Sequence, residues 1–396
     1  MSKNKKRLAI VANNISSFRG GEIFALSLLK KLKQEFDITI LNITSKSDIV
    51  RITRREIAKK YDLEGVRIVD IASVAVKNKA FGDIDYNFMI PTLGSSSKLV
   101  SELGRSDIIY NISSNPAILS LVVFAAKVAG KKLIHGVHNY TVFRVLSEQD
   151  GGISSGIYKS VLKNVGYFHT LNSTDFKKVK SGFPGAKAYL IPNFLMFKSS
   201  GIYTNKDKFI VIFVGGLSIH EKGLDLLPKI IEKVLSKNDK IIFSIIGSGE
   251  GAHLIKEIEG KYKKNVIWHG FLKPEALDKK YAEANLFIST SRFETFQLTV
   301  VEAQAHGLPV VSFDAAGPKD IIKKNVQGVC VKNFDTDVFA KQIIRYYGLW
   351  EKNKNSYNTN KIKISKNINT IYSYDKITDD IKDMLNDIIK ENNKRT

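Results

Sequence analysis

An alternation that runs twice constrains this chain most. Short apolar runs of strand length recur at Leu8–Ala12, Ile38–Ile43, Val66–Val69, Ile108–Ile112, Lys132–His138 and Tyr167–Leu171. Helix-spaced stretches such as Ile23–Leu32 lie between several of them. The segment Pro192–Asp207 has no sustained period. A second series then runs through Phe209–Val214, Ile241–Ile246, Val266–Trp268, Leu286–Ser289, Val310–Phe313 and Val329–Val331. Strands alternating with helices imply a mostly parallel sheet covered on both faces. Such sheets take ligands beyond the carboxyl ends of their strands. The expectation is an α/β chain of two doubly wound domains, residues 1–192 and 208–345, joined by a linker at 193–207. A helical tail, 346–396, follows. In it Ile377, Ile381, Met384, Leu385, Ile388 and Ile389 share one stripe, which predicts a helix packed back on the first domain.

The length of 396 residues suits two domains, and 43% apolar residues suit a globular chain. A single cysteine, Cys330, argues against a disulfide framework or a thiolate metal cluster. The seven histidines show no metal-ligand spacing, so no bound metal is expected. No secretory signal follows MSKNKKR, and the longest apolar run, about Ala117–Ala126, is half a bilayer span. The expected location is the cytoplasm. The 61 basic residues against 39 acidic ones give a net charge of +22, and residues 1–60 hold 14 Lys and Arg against 5 Asp and Glu. Nucleic acid, an anionic membrane face or a phosphate-bearing substrate fits that excess. General Lys, Asn and Ile richness accounts for part of it equally well. Lys46–Tyr61 reads as a basic, partly amphipathic helix that could dock on an anionic inner membrane.

Five segments could carry chemistry. Gly20-Gly21-Glu22 follows a strand and opens a helix, where backbone N–H groups can approach an anion; a plain turn fits as well. Gly215-Gly216 leads to Glu221-Lys222-Gly223 after the first strand of the second series, a place for Lys222 to meet a phosphate or simply solvent. Gly247-Ser248-Gly249-Glu250-Gly251-Ala252 fits the G-x-G-x-x-A pattern, but the next strand, Val266–Trp268, ends without the ribose-holding acid. A tight strand-to-helix turn suits it better than a dehydrogenase. The most specific segment runs from Ser289 to Val311. Glu294 stands in the loop after a strand, and Glu302 lies eight residues on, about two helical turns. The helix start between them offers free N–H groups. His138 ends a strand of the first series, as a cleft ligand or a satisfied core histidine.

Together these segments resemble the retaining glycosyltransferases of family 4, the group 1 glycosyltransferases, from the Gly20-Gly21 loop to about residue 345. The resemblance rests on the E-x7-E block Glu294–Glu302, the G-x-P-V-V strand Gly307–Val311, Glu221-Lys222-Gly223, Gly20-Gly21, His138, Ile191-Pro192-Asn193 and Gly317-Pro318-Lys319-Asp320. It implies the GT-B fold, two Rossmann-like domains facing across a cleft. It also implies transfer of a hexose or N-acetylhexosamine from a nucleotide-diphosphate-sugar to a glycan or lipid-linked acceptor. The setting it suggests is bacterial surface polysaccharide synthesis, with no metal; a nucleic-acid partner is not expected, because the chain lacks an aromatic-basic repeat or a recognisable module. By it, Glu294 contacts the donor sugar, Glu302 holds the ribose and Lys222 neutralises the leaving diphosphate. His138 aligns donor and acceptor. Backbone N–H groups at Gly21 and at Phe296, Gln297 and Leu298 bind phosphate oxygens.

Two departures stand out. Gly216 replaces an arginine common in the family, which Arg292 could replace in turn, and Gln297 stands where the family often has glycine. Alternative readings are an epimerase or phosphorylase on the same scaffold, or a nucleotide-sugar-binding module without activity.

Overall fold

A computed structural model describes residues 5–17, 20–46, 52–78, 86–113, 115–138, 153–196, 201–202, 207–323 and 327–391. The chain divides into two compact units, Met1–Asn193 with Asp375–Thr396, and Phe194–Tyr374.

In the first unit eight strands form one sheet: β1 (Lys6–Asn13), β2 (Phe36–Ser45), β3 (Arg67–Asn78), β4 (Tyr86–Pro91), β5 (Ile108–Asn111), β6 (Lys132–Val137), β7 (Tyr167–Thr170) and β8 (Lys187–Leu190). Their order is β4-β3-β2-β1-β5-β6-β7-β8. Leu8 of β1 pairs with Ile38 on one side and Ile108 on the other, so the order reverses there. All pairings are parallel except β3 with β4, an antiparallel edge that the sequence reading did not foresee. The apolar runs become strands because both faces are covered. Leu8, Ile10, Val11, Ile38, Ile40, Ile108 and Ile134 are all buried.

The predicted basic helix over Lys46–Tyr61 is shorter. It runs from Arg54 to Tyr61, started by a capping box between Thr53 and Glu56, and buries only Ile57; residues 47–51 lie outside the described ones. The tail also departs from the sequence reading. Residues 346–374 belong to the second unit, in the helices Thr336–Lys352 and Lys354–Ile371, whose Tyr346, Trp350, Tyr357, Ile364 and Ile368 are buried. Only the last helix, Tyr374–Lys390, joins the first unit. Its predicted stripe is there: Ile377, Ile381, Met384, Leu385 and Ile388 are buried, each burial worth roughly 1.5–3 kcal/mol. Lys31 meets Asp379 at 2.9 Å and Lys382 meets Glu35 at 3.3 Å beside that stripe.

The second unit holds β9 (Phe209–Val214), β10 (Ile241–Ile246), β11 (Val266–Trp268), β12 (Leu286–Ser289), β13 (Val310–Phe313) and β14 (Gly328–Val331), ordered β11-β10-β9-β12-β13-β14 and wholly parallel. Phe213, Leu227, Ile231, Phe243, Ile288, Phe339 and Trp350 contribute to its core. The order reverses between β9 and β12, where Ile212 pairs with Phe287. That reversal opens a crevice beyond the strand ends. No helix among the described residues is long and apolar enough to cross a membrane.

Candidate active site

A cavity of about 180 Å³ lies at the β9–β12 reversal, lined by Phe213, Val214, Gly215, Gly216, Lys222, Ser291, Glu294, Gln297, Leu298 and Thr299. Two loops build it. The first, after β9, turns at Gly223, whose φ of +60° and close approach admit no side chain. A Cβ there would lie 2.2 Å from the Thr290 carbonyl oxygen. The second, after β12, clamps the first. The Thr290 hydroxyl donates to the Lys222 carbonyl at 2.7 Å, and the Arg292 N–H donates to the Glu221 carbonyl at 2.9 Å. Gly223→Ala is therefore expected to lower the melting temperature by several degrees, since strain and a displaced carbonyl each cost on the order of 1–3 kcal/mol. Calorimetric melting of the two proteins checks this.

The clamp presents Lys222. Its Nζ meets Glu294 Oε1 at 2.6 Å, with 28% of the lysine side chain and 11% of the glutamate side chain exposed. Burial opposes the ammonium charge, but the adjacent Glu294 carboxylate outweighs it and holds the Lys222 pKa above the ordinary lysine value. Lys222 is thus a fixed cation. Glu294 is held from behind: the Gly317 N–H donates to its carbonyl at 3.0 Å, and a Cβ on Gly317 would sit 2.6 Å from the Phe296 backbone. The Gly-Pro-Lys-Asp segment therefore supports the glutamate loop.

Arg292 does not supply the missing cation of Gly216. Its guanidinium pairs both carboxylate oxygens of Asp225 at 2.7 Å each, and donates to the Ile219 carbonyl at 3.0 Å. It does not line the cavity and serves the loop instead. At Gly216 a Cβ would meet nothing within 4 Å, so the cavity wall is open there.

Gln297 caps the helix Leu298–Ala305 with a left-handed backbone, φ 70°. That conformation explains why glycine suits this position. The Gln297 amide folds onto the end of β12, Nε2 donating to Ser289 Oγ at 2.7 Å, while its buried Oε1 has no partner among the described residues. Leu298 and Thr299 open the helix on the cavity wall. The Phe296 side chain does not line the cavity. It is 3% exposed and packs edge-on against Tyr372 at 5.6 Å.

Glu302, two turns along the same helix, is half-buried and is not part of the cavity wall. The Tyr281 hydroxyl donates to its Oε2 at 3.1 Å. Burial raises the Glu302 pKa to about 7, and the Tyr281 hydrogen bond works against that rise. His306 ends the helix. One ring nitrogen stands 2.7 Å from the Glu302 carbonyl oxygen and the other 2.7 Å from Asp278 Oδ1. The Gly247–Ala252 turn packs on the β9 loop: a Cβ on Gly247 would fall 1.8 Å from the Gly215 carbonyl oxygen. Its glycines serve loop packing.

His138 and Gly21 belong to the first unit. Gly21 opens the helix Gly20–Leu32 after β1, with Ile112 beyond β5 as the nearest neighbour of a Cβ, at 4.0 Å. It thus sits at the β1–β5 reversal. His138 follows β6, its ring 4.9 Å from Phe24 and 5.2 Å from His169. A Cβ on Gly136 would lie 2.5 Å from that ring, so a side chain there would displace His138. The Tyr110 hydroxyl bonds His169 Nδ1 at 2.5 Å, and His169 Nε2 faces the Ile191 carbonyl at 2.7 Å. Burial, with His169 and His135 beside it, pushes the His138 pKa well down, so the ring is neutral. Residues 139–152, next in the chain, lie outside the described ones.

The structure thus gathers Gly216, Lys222, Glu294, Gln297 and Leu298 around one cavity, with Glu302 further along the same helix. Tyr281 has no motif around it and could not be singled out from the sequence. Arg292 was visible in the motif, but its pairing with Asp225, 67 residues away, was not.

Residues 197–363 match the family model for glycosyl transferases group 1. An uncharacterized glycosyltransferase of Methanocaldococcus jannaschii is 30% identical over 174 residues, 43% of this chain and 43% of that protein. A GDP-mannose-dependent alpha-mannosyltransferase of Corynebacterium glutamicum is 36% identical over 128 residues, 32% of this chain and 29% of that protein. The match thus spans less than half the length of these curated relatives. The crystal structure of Anabaena HepE in complex with UDP aligns with a TM-score of 0.73 at 13% identity, over 96% of this chain and 100% of that one. The lipopolysaccharide outer core galactosyltransferase WaaB aligns with a TM-score of 0.66 at 18% identity, over 94% of this chain and 98% of that one. The fold is therefore GT-B. Through its segment 197–363 the chain is similar to the group 1 glycosyl transferases.

Proposed function

We propose that this protein transfers a hexose or N-acetylhexosamine, with retention, from a nucleotide-diphosphate-sugar to a glycan or lipid-linked acceptor in bacterial surface polysaccharide synthesis. The observation that carries this reading is the Lys222–Glu294 pair at 2.6 Å in a cavity beside a helix start. Breaking the anomeric bond leaves negative charge on a diphosphate. Preorganised cations and N–H groups stabilise that charge, each worth about 2.7–4 kcal/mol where it has been measured. Lys222 is such a cation, and the first turn of Leu298–Ala305 supplies the N–H groups. In this reading the diphosphate draws Lys222 away from Glu294, which then takes hydroxyls of the donor sugar. Glu302 holds the ribose. His138 and Gly21 serve the acceptor side and the phosphates, and no resident metal takes part.

Two properties of the relatives support the reading. One matched relative is named a poly(ribitol-phosphate) alpha-N-acetylglucosaminyltransferase of Staphylococcus aureus, and one aligned structure is a lipopolysaccharide galactosyltransferase. Incubation with nucleotide-sugars, with and without acceptor glycans, tests it. Acceptor-dependent release of nucleoside diphosphate is expected. Release of an epimerised nucleotide-sugar, or no turnover with any donor, contradicts it.

The basic N-terminal region is proposed to rest on an anionic membrane at the inner face of the cell membrane. Sedimentation with phosphatidylglycerol vesicles at low salt, lost at high salt, is the expected result. Binding that is absent or indifferent to salt contradicts it.

A further inference from the structure

We infer that Tyr281 is a positioning residue for nucleotide recognition: its hydroxyl fixes one oxygen of Glu302 so that the other is aimed at a ribose hydroxyl. This rests on the ribose role proposed for Glu302. A half-buried carboxylate on a helix can rotate, and a rotating acceptor distinguishes hydroxyls poorly. Here a hydrogen bond restrains that rotation. Tyr281, on the helix Pro274–Glu283, is 2% exposed, and its hydroxyl donates to Glu302 Oε2 at 3.1 Å, leaving Oε1 outside that bond.

Tyr281 is itself held. Its ring stacks on His306, with centroids 5.1 Å apart and planes 22° apart. His306 is pinned between the Glu302 carbonyl and Asp278, on the same helix as Tyr281, at 2.7 Å each. Each part of the array thus fixes the next: Asp278 holds His306, His306 supports the Tyr281 ring, and Tyr281 holds the Glu302 carboxylate. A phenol donor also suits the task chemically. It favours the charged carboxylate, the better acceptor for an O–H, without bringing a second charge beside it.

Binding of UDP and GDP, and of their 2′-deoxy and 3′-deoxy forms, to four proteins separates the possibilities. The proteins are the wild type, Tyr281→Phe, Glu302→Gln and the double variant, and calorimetry gives each Kd. Tyr281→Phe keeps the ring stacked on His306, so the packing survives. The wild type is expected to prefer the ribose form of one nucleotide over one deoxy form by about tenfold, the size of one hydrogen bond to a charged group. Tyr281→Phe is expected to lose most of that preference while binding the deoxy form unchanged. In the Glu302→Gln background it should add little further loss. A Tyr281→Phe protein that keeps the full preference, or weakens both forms equally, overturns the inference. A Glu302→Gln protein that keeps the full preference, or a wild type that binds neither nucleotide, overturns instead the ribose reading beneath it.

Discussion

Lys222→Ala is expected to lower kcat by at least about 100-fold, with a smaller change in KM for the donor. The arithmetic follows from one preorganised cation, worth about 2.7–4 kcal/mol where a charge develops only in the transition state. Lys222 meets the conditions for that figure. It is mostly buried, held at its backbone by Thr290, and kept charged by Glu294. The variant also leaves Glu294, 11% exposed, without its cation, so some loss of stability accompanies the loss of rate. Lys222→Met keeps the packing of the stem and isolates the charge. Steady-state kinetics together with melting curves separates the two effects. A kcat close to wild type in a folded Lys222→Met protein removes Lys222 from the chemistry.

Glu302→Gln is expected to have opposite effects on stability and function. Burial raises the Glu302 pKa from 4.5 to about 7. Below pH 4.5 the carboxyl is protonated in both folded and unfolded states and costs nothing. As the pH rises toward 7 the unfolded chain releases the proton while the folded one keeps it, so this group increasingly favours unfolding. Above pH 7 the penalty is complete, up to about 3 kcal/mol for a shift of this size. Glutamine has no such penalty and can still accept from Tyr281. The variant should therefore unfold at higher denaturant at pH 8, and the gain should vanish near pH 4. Urea titrations at the two pH values read this directly. An equal effect at both would show that burial of the charge is not the cause. In the proposed function the same variant binds donor more weakly, because a neutral amide accepts a ribose hydroxyl less strongly than a carboxylate. In that proposal, stability is given up at this position for recognition.

Much of the second unit was legible because its strands are buried on both faces. Continuous apolar runs such as Phe209–Val214 and Ile241–Ile246 begin and end where polar or glycine residues interrupt them, and the structure starts and stops the strands there. The first unit was less legible at its edge. Beyond Val69, strand β3 alternates buried Ile71 and Ser73 with exposed Val74, a half-exposed pattern that weakens the apolar signal. Its partner β4 ends at Pro91, a residue that usually marks a strand boundary or an edge.

The region after Tyr347 read as a polar tail because of its Lys and Asn content. Lys361 shows why that misled: its stem is fully buried and its Nζ donates to the Ala284 carbonyl at 2.9 Å. Composition cannot report such a contact, 77 residues away. At the site, residue identity disclosed Lys222, Glu294 and Glu302 through their motif. What it could not disclose was which of them share a wall. That depends on where the strand order reverses, and on loop contacts such as Arg292 with Asp225 that join distant parts of the chain.

A thermal-shift comparison of the wild type and Lys222→Met across a panel of UDP- and GDP-sugars tests directly whether this cavity binds a nucleotide-sugar. A true donor stabilises the folded state by mass action, about 2.7 kcal/mol at a hundredfold excess over Kd. At least one nucleotide-sugar is expected to raise the melting temperature of the wild type by several degrees and that of Lys222→Met by a smaller amount, in step with the smaller change in KM. A panel in which every nucleotide-sugar leaves the wild type unmoved, or stabilises both proteins equally, would contradict it.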